Sequence, residues 1–115
     1  DKILTAKVEN AKNANIETIF CVQSTSDMIP QGVKIVAYEP IFAIGTGKAD
    51  TPESVKEVAS QIQQKGSFKV IYGGSVDSAN VKSYLVRGLV DGVLGVATNS
   101  VDPPNFIKIL KTSSY

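Results

Sequence analysis

The sequence predicts an α/β fold built on a parallel sheet of about four strands. Short apolar runs rich in β-branched and aromatic residues recur along the chain, stretches with helical apolar spacing lie between them, and glycine, proline and serine clusters punctuate the joins. Strands that alternate with helices run parallel, because each crossover returns the chain to the end of the sheet from which it started. The 115 residues suffice for one ordinary domain, 1–115, and contain no low-complexity segment or linker.

Ile3, Leu4, Ala6, Lys7 and Val8 begin an amphipathic helix that fades near Asn13, and Glu17-Thr18-Ile19-Phe20-Cys21-Val22 follows as the first strand. Cys21 lies inside an apolar run and reads as core filler. The polar stretch Gln23-Ser24-Thr25-Ser26-Asp27 leads through Met28-Ile29-Pro30-Gln31-Gly32 to the second strand, Val33-Lys34-Ile35-Val36-Ala37-Tyr38. That link is too short for a full crossover helix, so its outer layer shrinks to a turn or less.

Further on, Thr51 is placed to cap a helix with Pro52 at its first position, and Val55, Val58, Ala59 and Ile62 form its buried stripe before Gly66. Phe68-Lys69-Val70-Ile71-Tyr72 is the third strand, stopped by Gly73-Gly74. Asp77 or Ser78 caps a helix through Val81 and Leu85 to Gly88, and residues 90–96 hold the fourth strand. Pro103 and Pro104 open a last helix with Phe106, Ile107, Ile109 and Leu110 as its apolar positions.

Composition narrows the classes of function. A net charge of +1 provides no field that would favour nucleic acid or an anionic membrane. No apolar run approaches the roughly 20 residues that span a bilayer, and Asp1-Lys2-Ile3-Leu4 lacks the layout of a signal peptide, so a cytoplasmic location is expected. With one cysteine and no histidine, neither an internal disulfide nor a transition-metal site is expected, and no cofactor motif is present.

Chemistry concentrates at strand C-termini. Glu39 ends the second strand, and Pro40 forces extended geometry on it while blocking continuation of the ladder. Pro40-Ile41-Phe42-Ala43-Ile44-Gly45-Thr46-Gly47-Lys48 then forms a glycine-hinged apolar flap, the layout of a base from which water is excluded. After the third strand, Gly73-Gly74-Ser75 offers successive backbone N–H groups and a hydroxyl, a concave site an anion can approach. Taken alone, a Glu beside a Pro at a strand end is more often a surface or capping carboxylate, and Gly73-Gly74 more often an ordinary turn.

The run from Ala37 to Lys48, together with Tyr72-Gly73-Gly74-Ser75-Val76 and Val90-Asp91-Gly92, resembles the triose-phosphate isomerase family, from about Thr18 to the C-terminal helix. The resemblance covers the second half of that family's barrel. A closed (β/α)₈ barrel takes roughly 250 residues, so the implied fold is a parallel-stranded half of a TIM barrel.

The resemblance implies the reaction and its parts. Glu39 would be the general base that moves a proton between adjacent carbons of a triose phosphate through an enediolate. Gly45, Gly74, Ser75 and the loop at Val96-Ala97 would bind the substrate phosphate. Many family members place two glycines where this chain has Val96-Ala97, and β-branched Val96 restricts the backbone there. Pro40, Ile41 and Phe42 would form one flap hinge and Lys48, Ala49 and Asp50 the other, with Tyr72 bonding the closed flap near Asp50. Ile44 and Leu94 would clamp the carboxylate and strip it of water.

The family's electrophilic histidine and active-site lysine belong to the first half of the barrel, and this chain has no histidine. Little isomerase activity is therefore expected of the chain alone. The partner implied is an N-terminal half-barrel chain or a second copy, since two open sheet edges invite association. The alternative is a non-catalytic half-barrel that binds small phosphates or self-associates.

Overall fold

Four short strands pair side by side in their order along the chain: β1 (Ile19–Val22), β2 (Ile35–Tyr38), β3 (Lys69–Tyr72) and β4 (Gly92–Val93). All three pairings are parallel. This is the predicted partial barrel wall, described by a computed structural model over residues 1–95. The expected last helix, and the end of the fourth strand with Val96 and Ala97, lie outside the described residues.

Helix α1 (Lys2–Asn13) starts where Asp1 accepts the Ile3 N–H at 2.9 Å, satisfying one of the free donors of a first turn. Helix α2 (Pro52–Gln63) starts as predicted: Thr51 accepts the Ser54 N–H at 3.2 Å and Pro52 occupies the first turn. Its Val55, Ala59 and Ile62 are buried, while Val58 packs half-buried at the margin.

The predicted third helix is much shorter than its sequence suggests, only α3 (Val81–Tyr84). Polar side chains take the backbone before it: Asp77 Oδ1 accepts from Ala79 N and Asn80 N, and Asn80 Oδ1 accepts from Asp77 N. These reciprocal bonds cap the backbone at the predicted Asp77, and Val81 N donates to Asp77 O at 3.0 Å, so the shortening comes at the other end, where Leu85 leaves helical geometry at φ −83° and ψ 42°.

No helix forms between β1 and β2, in agreement with the short link. Asp27 Oδ2 instead accepts the N–H groups of Gln23 and Ser24 at 2.6 and 3.2 Å. Lys65 Nζ closes the turn against the carbonyls of Thr25 and Asp27.

Side chains alternate across the sheet with period two. Phe20 and Val22, Val36 and Tyr38, and Val70 and Tyr72 occupy aligned rows facing the core shared with α2 and α3. Full burial of each such valine contributes about 1.5–3 kcal/mol.

The opposite face carries Ile19 and Cys21, Ile35 and Ala37, and Lys69 and Ile71. On this face Ile19 is 49% exposed and Cys21 is exposed, whereas Ala37 is buried. Cys21 is therefore not core filler. Its position in an apolar run was compatible with either face, and the register places it on the open one.

Candidate active site

The three crossovers bring three loops to one end of the sheet. Beyond the last paired row, Glu39 N donates to Val22 O at 2.8 Å, Gly73 N to Tyr38 O at 3.0 Å and Leu94 N to Tyr72 O at 2.8 Å. Glu39, Gly73 and Leu94 thus stand one per strand end across a common mouth. By the same alternation Glu39 shares the open face with Ala37 and Cys21 rather than the helix-covered face.

Glu39 is half-buried, and Gly73 lies directly against its side chain. Cys21 lies close on the other side. Its thiol is pushed up first by partial desolvation, then by the charge of the Glu39 carboxylate and a hydrogen bond with it. A carboxylate thus sits between strands β1 and β3 with its oxygens on the open face.

The flap leaves the strand through Pro40, whose φ of −64° and ψ of 135° set extended geometry, and a single 3₁₀ turn, Ile41–Ala43. Gly45 and Gly47 both adopt left-handed backbone, φ 65° and 71°, which side chains with a Cβ rarely tolerate. Thr46 Oγ1 donates to Phe42 O at 2.8 Å and accepts from Lys48 N at 3.1 Å, which organises the tip. Ile41, Phe42 and Ile44 are 66%, 58% and 47% exposed, so the apolar surface of the flap faces water in this position. Leu94, the other half of the expected clamp, is half-buried.

The flap is tied down at both ends. Ser75 is buried, with φ 56°, and its hydroxyl donates to Ala43 O. At the other end Asp50 is held from several sides. Its N–H donates to Tyr72 Oη at 2.7 Å, its carbonyl accepts from Tyr84 Oη, and its carboxylate accepts from Tyr38 Oη at 3.1 Å and Ser54 Oγ at 2.9 Å. Tyr72 Oη in turn donates to Gly74 O at 2.9 Å, linking Asp50 to the glycine turn. The Tyr72 ring is flanked by Tyr38 and Tyr84, with centroids 5.9 and 4.6 Å away.

Sequence reading placed Tyr72 near Asp50 but missed Tyr38, Tyr84 and Ser54. The signal for Tyr38 was its matching position at the end of β2, directly beside Tyr72 at the end of β3. Nothing local marks Tyr84. Of the other two residues of the expected hinge, Ala49 packs against the core and Lys48 is exposed.

Desolvation, followed by the charge of Asp50 and the hydrogen bond to it, pushes the Tyr38 hydroxyl up to about 12; burial raises Tyr72 and Tyr84 as well. An unfolded tyrosine titrates near about 10. Because its folded value is raised, Tyr38 adds stability that is fully present below about pH 10 and is lost as pH rises toward 12. Thermal melts between pH 8 and 12 should show Tyr38→Phe losing less stability over that interval than the parent; equal slopes would remove Tyr38 from the linkage.

The fold and the mouth define a parallel α/β barrel segment with a carboxylate, a hinged flap and a glycine turn on the C-terminal side of its strands. The chain matches the family model described as Triosephosphate isomerase over residues 1–113, and it belongs to that family.

Among relatives, it is 37% identical over 133 residues to the triosephosphate isomerase of Mesomycoplasma hyorhinis, covering 96% of this chain and 54% of that protein. It is 43% identical over 77 residues to the one from Nitratiruptor sp., covering 67% and 33%, and 29% identical over 146 residues to the one from Chloroherpeton thalassium, covering 98% and 58%. The chain thus spans between 33% and 58% of the length of these relatives. Two of these alignments are longer than the chain's 115 residues, so those relatives carry residues that this chain lacks within the matched region.

Among the described residues, no group of three or more His, Cys, Asp or Glu side chains is placed to hold a metal ion, and no helix is long and apolar enough to cross a membrane.

Proposed function

We propose that the chain is a single domain supplying the base and phosphate-binding half of a cytoplasmic triosephosphate isomerase, interconverting dihydroxyacetone phosphate and glyceraldehyde 3-phosphate without a cofactor. The observation that carries this reading is the mouth itself: a half-buried Glu39 on the open face, with a glycine-hinged apolar flap attached and Gly73-Gly74-Ser75 beside it.

Glu39 takes a proton from one carbon of the triose phosphate and returns it to the next. Closure of the flap over it removes water, which makes the carboxylate a stronger base toward carbon. Gly45, the Gly74-Ser75 turn and the loop at Val96-Ala97 hold the phosphate through backbone N–H groups. In this flap position the Ser75 hydroxyl is spent on Ala43 O, so its share in phosphate binding falls to the backbone unless the flap moves.

The developing enediolate also needs hydrogen-bond donors, each of which typically accounts for about 10²–10³ in rate. With no histidine here, an N-terminal half-barrel supplies them, and it covers Ile19 and Cys21 on the open face. A second copy would cover the same face without supplying the histidine.

The test is to determine the native mass of the chain alone and with an N-terminal half-barrel, and to assay both with dihydroxyacetone phosphate. Association accompanied by turnover is expected only in the mixed assembly. A folded mixed assembly without turnover would replace this reading with a non-catalytic, phosphate-binding half-barrel.

A further inference from the structure

We propose that Gly73 is a positioning residue for Glu39: the missing side chain at 73 is the space in which the carboxylate lies. A Cβ built on Gly73 would stand 2.9 Å from both Cγ and Oε1 of Glu39 and 3.2 Å from its Cδ. Contacts below 3.0 Å are not tolerated between such atoms, so one of the two groups must move.

The backbones are the fixed partners. Glu39 N is bonded to Val22 O and Gly73 N to Tyr38 O, in a register that sets Tyr38 directly beside Tyr72. What can give is the Glu39 side chain, because its torsions rotate between staggered wells at little cost. Gly73 is also outside the left-handed backbone region, so its conformation does not itself demand glycine. Alanine at 73 should therefore leave the fold standing and displace the carboxylate.

The inference rests on the proposed role of Glu39 for its kinetic consequence but not for its geometry. Two measurements keep them apart. In the completed protein, Gly73→Ala should lower kcat by about 10²-fold with little change in KM, since misplacement on the order of 1 Å costs that much. In a Glu39→Gln background the same change should have no further effect, because no base remains to be misplaced. A second loss of similar size there, or a rise in KM alone, would assign Gly73 to phosphate binding and overturn the proposal.

The geometric readout needs no activity. In the chain alone, where the open face is uncovered, Cys21 is the single cysteine, exposed and beside Glu39, so the pH midpoint of its alkylation reports where that carboxylate lies. Gly73→Ala should shift the midpoint when Glu39 is present and leave it unmoved when residue 39 is glutamine. An unchanged midpoint with Glu39 present sinks the proposal even if the isomerase reading stands. A shifted midpoint in a protein that never turns over triose phosphate would support the geometry and reject the isomerase reading.

Should Gly73→Ala lower the melting temperature, adding Glu39→Ala removes the three crowded atoms and should restore it. Failure to restore it would place the clash elsewhere and refute the inference.

Discussion

Glu39→Asp is expected to lower kcat of the completed protein about 10²-fold while leaving its melting temperature near that of the parent. The backbone of residue 39 is fixed by the bond from its N–H to Val22 O, so shortening the side chain withdraws the carboxylate by about one methylene and nothing compensates. A shift on the order of 1 Å is enough for a loss of that size when a base must meet a C–H bond at a set distance. KM should change little, because the phosphate contacts proposed for Gly45, Gly74 and Ser75 are untouched. In the chain alone, where Cys21 is exposed, the withdrawal should also relax the upward push on its thiol, so alkylation at a given pH should quicken. Steady-state kinetics with a triose phosphate decide the matter: turnover within a few-fold of the parent would remove Glu39 from the role of base.

What could be read in the sequence depended on whether the signal was local. The strands showed as apolar runs, the start of α2 as Thr51-Pro52, and the missing crossover helix as a segment too short to hold one. Glu39 stood out as the candidate base because Pro40 and the flap glycines follow it directly. The parts that escaped depend on register. Cys21 could have faced either side of the sheet until β1 was paired to β2, and a one-residue slip would have buried it. Likewise, Tyr38 and Tyr84 meet Asp50 across 12 and 34 residues of sequence, a convergence that no window along the chain can reveal. The α3 helix was overestimated at its far end: Asp77 caps the start through Ala79 N and Asn80 N, but the backbone leaves helical geometry at Leu85, which the apolar spacing through Leu85 did not show.

The two glycines at 73 and 74 look alike in sequence yet should fail in opposite ways when substituted. Gly73 faces the free end of a side chain, whereas a Cβ on Gly74 would lie 2.2 Å from Tyr72 Oη, 2.7 Å from its Cζ and 2.8 Å from Ala43 Cβ. None of these can retreat. Tyr72 is fully buried and its ring is held between Tyr38 and Tyr84, while Ala43 has no exposed surface and accepts the Ser75 hydroxyl on its carbonyl. Forcing the ring aside would also strip the Tyr72 hydroxyl of its bonds to Asp50 N and Gly74 O, releasing Asp50, the expected C-terminal hinge of the flap. Overpacking of about 1–3 kcal/mol and a buried hydroxyl without partners at about 1–3 kcal/mol together give an expected loss on the order of 4 kcal/mol for Gly74→Ala. Denaturant unfolding measures it directly. Repeating the substitution on Tyr72→Phe, which lacks the nearest clashing atom, should yield a clearly smaller loss, since that background has already given up the hydroxyl bonds. A Gly74→Ala protein within about 1 kcal/mol of its parent would mean that the tyrosine cluster is looser than its packing indicates, and that Tyr72 does not hold the flap hinge in place.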